Sequence, residues 1–306
     1  MKLSIIIPVY QAESTLERCV DSILKQSFRD YEVVLVNDAS TDNSAAVCQK
    51  LCERDKRVRT ITKKQNAGLS EARNTALRKV HGEYVTFVDA DDFLGNDVLH
   101  ELMTLLRVHP DYDILEYPVY EHYGSPRQRK LLLHSHVYTD KYDYWLRGMA
   151  YRHCYAWNKI YRRELFNGVQ FPAGKVFEDV HTLPKLLEKV SCVATTELGL
   201  YYYCYNPNGI TTKATGRHLA DLLEGHLNYL NENRNKMNTQ SESFAKYYAH
   251  VLNIQLDVCE QTGDQPLLPV IDVQPITLKL RMLRMVGIKN LIRCNKLIHK
   301  VWRRSH

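Results

Sequence analysis

The segment YVTFVDADDF, residues 84–93, carries residues suited to a buried strand straight into Asp89, Asp91 and Asp92. Three carboxylates at the end of an apolar strand repel one another, and a bound cation offsets that cost. Hard oxygen ligands of this kind suit Mg²⁺ or Mn²⁺. Magnesium-type sites commonly take one or two protein carboxylates and complete the shell with water and substrate phosphate oxygens. The cluster therefore points to a phosphate-bearing ligand. An isolated D-x-D is more often a helix cap or a solvated turn, so its place among the other elements has to carry the argument.

Those elements alternate. LSIIIPVY (3–10), YEVVLVND (31–38), VRTITK (58–63) and YVTFVD (84–89) read as strands, nearly continuous in apolar character, as suits parallel strands covered on both faces. Helical patterns lie between them. Leu16, Cys19, Val20, Ile23 and Leu24 form an apolar face behind a Ser14/Glu17 capping box, and a second helix covers about 42–54. A third starts at Ser70 as N-cap and stops near Gly82, and a fourth starts at Asn96. This order predicts an α/β fold with right-handed crossovers and a mostly parallel, Rossmann-like sheet flanked by helices.

Ligands of such sheets bind beyond the carboxyl ends of the strands. Polar residues gather there: Gln11 and Glu13 after the first strand, Asn37 to Asp42 after the second, Lys63, Lys64, Asn66 and Gly68 after the third, and the aspartates after the fourth. Beyond about residue 110 the alternation fades into a Tyr- and His-rich stretch (112–215) expected to complete the sheet and wall a cleft. A helical pattern over 216–262 and a proline-punctuated linker over 263–275 follow. The expected division is 1–110, 111–215 and a helical C-terminal extension, 216–306.

Composition excludes several classes. In 306 residues, 44% hydrophobic and 25% charged, neither disorder nor a fibrous repeat is indicated. The apolar run in MKLSIIIPVYQ is about eight residues and lacks a cleavage site. With no apolar run near the length of a membrane-spanning helix, a cytoplasmic location is expected. The eight cysteines include no C-x-x-C pair, so they read as buried thiols rather than a zinc site or disulfide framework.

Taken together, PVYQAESTLERCVDSILKQSF (8–28), VVLVNDASTDNS (33–44), NAGLSEARNTAL (66–77) and YVTFVDADDF resemble the nucleotide-sugar-binding half of family 2 glycosyltransferases, inverting enzymes of the GT-A fold. AWNKIYRRELF (156–166) and FPAGKVFEDV (171–180) resemble the acceptor half. The resemblance covers about residues 1–215.

It implies that Pro8, Val9, Tyr10, Glu13 and Asp38 hold the base and ribose of a uridine nucleotide, and that Asn66, Gly68 and Arg73 approach the diphosphate or sugar. Asp91 becomes the direct ligand of Mn²⁺ or Mg²⁺, with Asp89 reaching the ribose or the metal shell. In the Glu178-Asp179 pair, Asp179 is the expected catalytic base, with Trp157, Lys159 and Glu178 meeting the acceptor. The expected reaction moves a sugar from a UDP-sugar to a saccharide or lipid-linked saccharide, in cell-surface polysaccharide or lipopolysaccharide synthesis.

Asn37 and Ala39 depart from the Asp and Gly that many relatives carry. A sugar nucleotidyltransferase would need a Gly-rich basic loop after the first strand, which PVYQAEST lacks. A non-catalytic relative is disfavoured by intact Asp89, Asp91 and Asp179.

Further features are weaker. Tyr151, Tyr155 and Tyr201–Tyr203 offer flat faces for a sugar or belong to the core. His134 and His136 share one side of a strand but read as surface decoration, and His218 is a weak metal candidate. No acidic residue follows Asp272. If 280–304 is helical, Leu291, Cys294, Ile298 and Val301 share one face while Lys289, Arg293, Lys296, Lys300 and Arg304 line another. That pattern fits either peripheral binding to an anionic membrane surface or a helix docked on the protein's own core. Nucleic-acid binding is not expected, for want of a stacking platform.

Overall fold

The computed structural model describes residues 1–302, with side chains through Leu297. The chain divides into two compact units. The first comprises residues 1–141, 155–174 and 182–209, the second 142–154, 175–181 and 210–306. The expected boundaries at 110 and 215 are thus replaced by an interleaved division, in which two short middle segments belong with the C-terminal helices.

In the first unit, β1 (Leu3–Val9), α1 (Leu16–Leu24), β2 (Tyr31–Asn37), α2 (Ser44–Arg54), β3 (Val58–Thr62), α3 (Leu69–Leu77) and β4 (Tyr84–Phe87) alternate as expected. After them come β5 (Phe93–Leu94), α4 (Val98–Val108), β6 (Ile114–Glu116), β7 (Val119–Tyr123), β8 (Arg129–Leu131) and β9 (His136–Tyr138). Later strands are β10 (Lys159–Arg162), β11 (Val193–Thr195) and β12 (Tyr201–Cys204).

One sheet runs β3-β2-β1-β4-β10-β6-β11-β9, a second β5-β12-β7-β8. The first four strands of the larger sheet are mutually parallel, and β10 pairs antiparallel with β4. Every residue of β1, β2 and β4 is buried, which is why these strands read as unbroken apolar runs.

Two helix starts differ from expectation. α1 begins after Thr15 without a side-chain cap, because the amides of Thr15 and Leu16 both bond the Ala12 carbonyl and that turn already satisfies them. α3 begins after Gly68, whose φ of 85° is accessible at low cost to glycine alone, leaving Ser70 buried inside the first turn.

The second unit is helical. α5 (Lys141–Leu146) and α6 (Glu178–Leu187) contribute their Tyr142–Leu146 and Glu178–His181 portions, joined by α7 (Gly216–Asn233), α8 (Glu242–Thr262) and α9 (Leu278–Trp302). Its core is aromatic: the Trp145 ring lies 4.2 Å from Tyr229 and 5.8 Å from Tyr247. His226 and His250 sit edge to face at 5.1 Å beside them. Gly225 permits the close packing of α7 on the start of α6, since a Cβ there would lie 2.4 Å from the Val180 side chain.

Burial, then the neighbouring His250 and His181, push the His226 imidazole well below its ordinary range. Burial and Arg152 lower His250 to about 4. Folded-state values below the unfolded one mean that the unfolded chain binds more protons between about pH 4 and 6.5, so stability falls on acidification. Lowering the pH from 7.5 to 5.5 should cost about 2–3 kcal/mol from the two imidazoles together, read by urea unfolding. Stability unchanged over that window would show that neither histidine is buried neutral.

α9 packs on α8 through buried Leu280, Leu291 and Asn295, with Asn295 Nδ2 donating to Glu260 Oε2 at 3.2 Å. The helix expected over 280–304 is interrupted at Gly287, whose φ of 73° and ψ of 168° are non-helical. The side chains of Ile298, Lys300 and Val301, and Arg303 and Arg304 altogether, lie outside the described residues. Among the described residues no helix is long and apolar enough to cross a membrane.

Candidate active site

The carboxyl ends of β1 and β2 are joined by hydrogen bonds between the loops that follow them. The Gln11 amide donates to Ser40 Oγ, the Ala12 amide to Ser44 Oγ and the Glu13 amide to Asp42 Oδ2, at 3.2, 2.9 and 3.1 Å. Glu13 Oε2 accepts in return from the Asn43 amide at 2.7 Å. The loop after β1 is thereby laced to the loop after β2. Pro8 and Val9 are buried within β1, so of the expected nucleoside ledge only Tyr10, 52% exposed, presents a ring.

Asn37 Oδ1 accepts the Ser40 amide at 3.0 Å, supporting a turn in which Ala39 has φ 55°. Glycine adopts that left-handed conformation at least cost, so Ala39 holds it with some strain. Asp38, 2% exposed, accepts Lys63 Nζ at 2.6 Å and the Gly68 amide at 2.7 Å. Its carboxylate couples the end of β2 to the entry of α3, where Asn66 is exposed.

Arg73 on α3 is 1% exposed, yet its guanidinium reaches Asp89 Oδ1 at 3.2 Å. The Phe87 and Phe171 rings, 5.6 and 5.2 Å away, hold it in place.

The three aspartates after β4 have different surroundings. Asp92 is fully buried, its Oδ2 accepting the Tyr201 hydroxyl at 2.8 Å and its Oδ1 the Cys204 amide at 2.7 Å. Burial first, then the charges of Asp91 and Asp89, raise its carboxyl well above the usual range. Asp92 therefore clamps β12 to the strand end and is not free to ligate. Asp89 and Asp91 are only partly covered.

Asp91 Oδ2 accepts from Asn206 Nδ2 at 2.8 Å, and the Asp91 carbonyl accepts from the Arg18 guanidinium, which also lies over Phe93 at 5.2 Å. Among the described residues no three ligating side chains are grouped to hold a metal by themselves. Two neighbouring half-buried carboxylates still fit an Mg²⁺- or Mn²⁺-type ion, which takes its remaining ligands from water and phosphate.

All three expected acceptor residues, Trp157, Lys159 and Glu178, are covered. Trp157, 4% exposed, is stacked between Tyr155 and Tyr201 at 4.4 Å each. Lys159, fully buried, pairs with Glu116 at 2.9 Å and donates to the Tyr155 carbonyl and Asn158 Oδ1. Their contribution runs through the interior: the Tyr155-Trp157-Tyr201 stack ends on the hydroxyl that grips Asp92 and accepts the Asp89 amide at 3.0 Å.

Glu178 and Asp179 open α6 in the second unit. Glu178 is 5% exposed; Asp179 is partly exposed. Phe177, just before them, has φ 57°, a strained conformation for a bulky residue. The preceding segment is moored to α7, where Asp221 takes Lys175 Nζ and the Val176 amide at 3.0 and 3.2 Å. On the other side of the pair, His181 Nε2 meets the Asp221 carbonyl at 2.9 Å.

The remaining histidine expectations resolve simply. His134 is an exposed side chain near Glu197, His136 lies in β9, and His218 completes a capping box with Thr215 at the start of α7. Sequence reasoning missed Arg18 and Asn206. Their contacts lie 73 and 115 residues away, and no local pattern signals either.

A mixed sheet whose first four strands are parallel, flanked by helices, with polar groups at adjoining strand ends and two half-exposed carboxylates after β4, defines an α/β protein of the GT-A type. The sequence pattern described as Glycosyl transferase family 2 matches residues 4–169. The chain belongs to that family. It is 31% identical over 240 residues to glycosyltransferase GlyA of Streptococcus pneumoniae, covering 73% of this chain and 33% of GlyA. It is 30% identical over 229 residues to the uncharacterized glycosyltransferase EpsJ of Bacillus subtilis, covering 68% of this chain and 62% of EpsJ. The chain thus spans a third of one relative and under two thirds of the other. The structure of S. aureus TarS 1–349 in complex with UDP-GlcNAc superposes with a TM-score of 0.67 at 20% identity, covering 100% of this chain and 93% of that one. That likeness shows the fold.

Proposed function

We propose that the protein transfers a sugar from a UDP-sugar to a saccharide or lipid-linked saccharide acceptor by single displacement with inversion, at the cytoplasmic side of cell-surface polysaccharide synthesis. The observation that carries this reading is that Asp89 and Asp91 stay half-exposed at the end of β4, while Asp92 is withdrawn into Tyr201 and Cys204. UDP-GlcNAc in TarS, which shares the fold, supports the donor class.

In this reading Tyr10 stacks on the base. Asp38 orders the Gly68 turn, whose neighbouring amides and the start of α3 suit the diphosphate. Asp91, with Asp89, would hold Mn²⁺ or Mg²⁺, which when bound would supply stabilisation of negative charge on the departing diphosphate. Arg73 orients Asp89. The acceptor hydroxyl oxygen bonds to the anomeric carbon as the bond from that carbon to the phosphate oxygen breaks, and the hydroxyl proton passes to Asp179.

The test is thermal unfolding with UDP, GDP, CDP and dTDP, each with Mn²⁺ and with chelator. A ligand at 100 times its Kd stabilises the folded state by about 2.7 kcal/mol, so UDP with Mn²⁺ should raise Tm. A larger shift with GDP, or none with any nucleotide, refutes the donor assignment.

A further inference from the structure

The docked α9 does not use up its polar and apolar groups on α8. Leu280, Leu291 and Asn295 face inward. In the half before Gly287, Met285 lies roughly 140° around the helix from Leu280, and in the half after it Arg293 and Leu297 lie roughly 120–160° from Leu291. These outward faces are cationic: Arg281, Lys289, Arg293 and Lys296 are all exposed, Arg284 is exposed at the edge nearer Leu280, and no carboxylate occurs in the helix.

They are also apolar. Leu278, Met285, Val286 and Leu297 are 72, 82, 42 and 63% exposed. Large side chains so far out of the core gain nothing from water. Both halves of the helix carry exposed cations and exposed apolar side chains, although the break separates them.

We infer that the outward faces of α9 bind the surface of an anionic lipid bilayer. Phosphate headgroups meet the arginines and lysines, while the acyl boundary beneath them receives Met285, Val286 and Leu297. A soluble polyanion, such as an acidic polysaccharide or a nucleic acid, satisfies the charges but leaves those apolar groups in water. Asp272 stands 3.8 Å from Arg284, a weak contact with both side chains well exposed. The inference is independent of the donor and metal assignments. It places the transferase where a lipid-linked acceptor resides.

The experiment is flotation of the full chain with vesicles of phosphatidylcholine alone and of phosphatidylcholine with phosphatidylglycerol. The protein should float with the anionic vesicles and stay behind with the neutral ones. The triple variant Arg281→Glu, Lys289→Glu, Arg293→Glu should partition at least on the order of 100-fold more weakly, since each basic residue contributes about a fivefold factor. A second variant, Met285→Ser with Leu297→Ser, keeps every charge and should also lose most of its partitioning. Unfolding curves matching the parent confirm that these exposed substitutions leave the fold intact. Equal flotation with both vesicle types, no flotation at all, or a triple variant that floats like the parent overturns the inference. So does a Met285/Leu297 variant that binds undiminished, because the face would then be a purely electrostatic one suited to soluble polyanions.

Discussion

Asp179→Asn is expected to lower kcat by about 10²- to 10⁴-fold, the contribution of a positioned general base, while UDP affinity stays at the parent value. The substitution conserves size and leaves the start of α6 in place, held by the Asp221 contacts to Lys175, Val176 and His181 on either side of Asp179. An acid in the first turn of a helix also has a bland use, because it complements the helix dipole for about 0.3–1 kcal/mol. The two roles give different results. If Asp179 only favours the helix end, the Asn variant loses a little stability and keeps its turnover. If it takes the acceptor proton, stability changes little and turnover collapses at every acceptor concentration, because the loss falls on the chemical step. The strained Phe177 immediately before the pair favours the second role, since such conformations persist where surrounding structure enforces them for a purpose. Turnover equal to that of the parent would remove Asp179 as the base.

Asp91→Ala should abolish the Mn²⁺-dependent part of the UDP-induced rise in Tm, and transfer with it. The sign of its effect on the metal-free protein is equally informative. Asp91 and Asp89 both raise the Asp92 carboxyl by their charge, so deleting Asp91 relieves repulsion and should leave the chelator-treated protein as stable as the parent or more so. The lost hydrogen bond from Asn206 is partly exposed and offsets this by only about 0.5–1.5 kcal/mol. A variant unchanged or stabilised in chelator but insensitive to Mn²⁺ identifies a carboxylate kept at a cost for ligation. A strongly destabilised variant that still responds to UDP and Mn²⁺ would make Asp91 structural and move the metal elsewhere.

Much of this was legible without coordinates because it is local. Strand and helix periods report burial within a few residues of themselves, and the polar residues following β1, β2, β3 and β4 mark the ligand-binding edge that parallel α/β topology imposes. From this alone the chain declared the alternation of strand and helix and the parallel pairing through β4, and its helical C-terminal region. The helix starts were less legible: Ser14 and Ser70 had the right chemistry for caps, but a turn at Ala12 and the positive φ of Gly68 had already settled those ends.

What only the tertiary structure decided concerns partners distant in sequence. The three aspartates look equivalent in DADD, yet Asp92 is withdrawn by Tyr201 and Cys204, 109 and 112 residues on. Trp157 and Lys159 have the chemistry of acceptor contacts but are interior groups, because β10 runs between β4 and β6 and their neighbours enclose them. Residues 142–154 and 175–181 belong with the distal helices although nothing in their composition says so. Local pattern encodes which face of an element avoids water; it does not encode which distant element covers that face. The sequence by itself therefore determined the chemistry available at the strand ends, and the tertiary structure decided which of those groups are withdrawn into the interior.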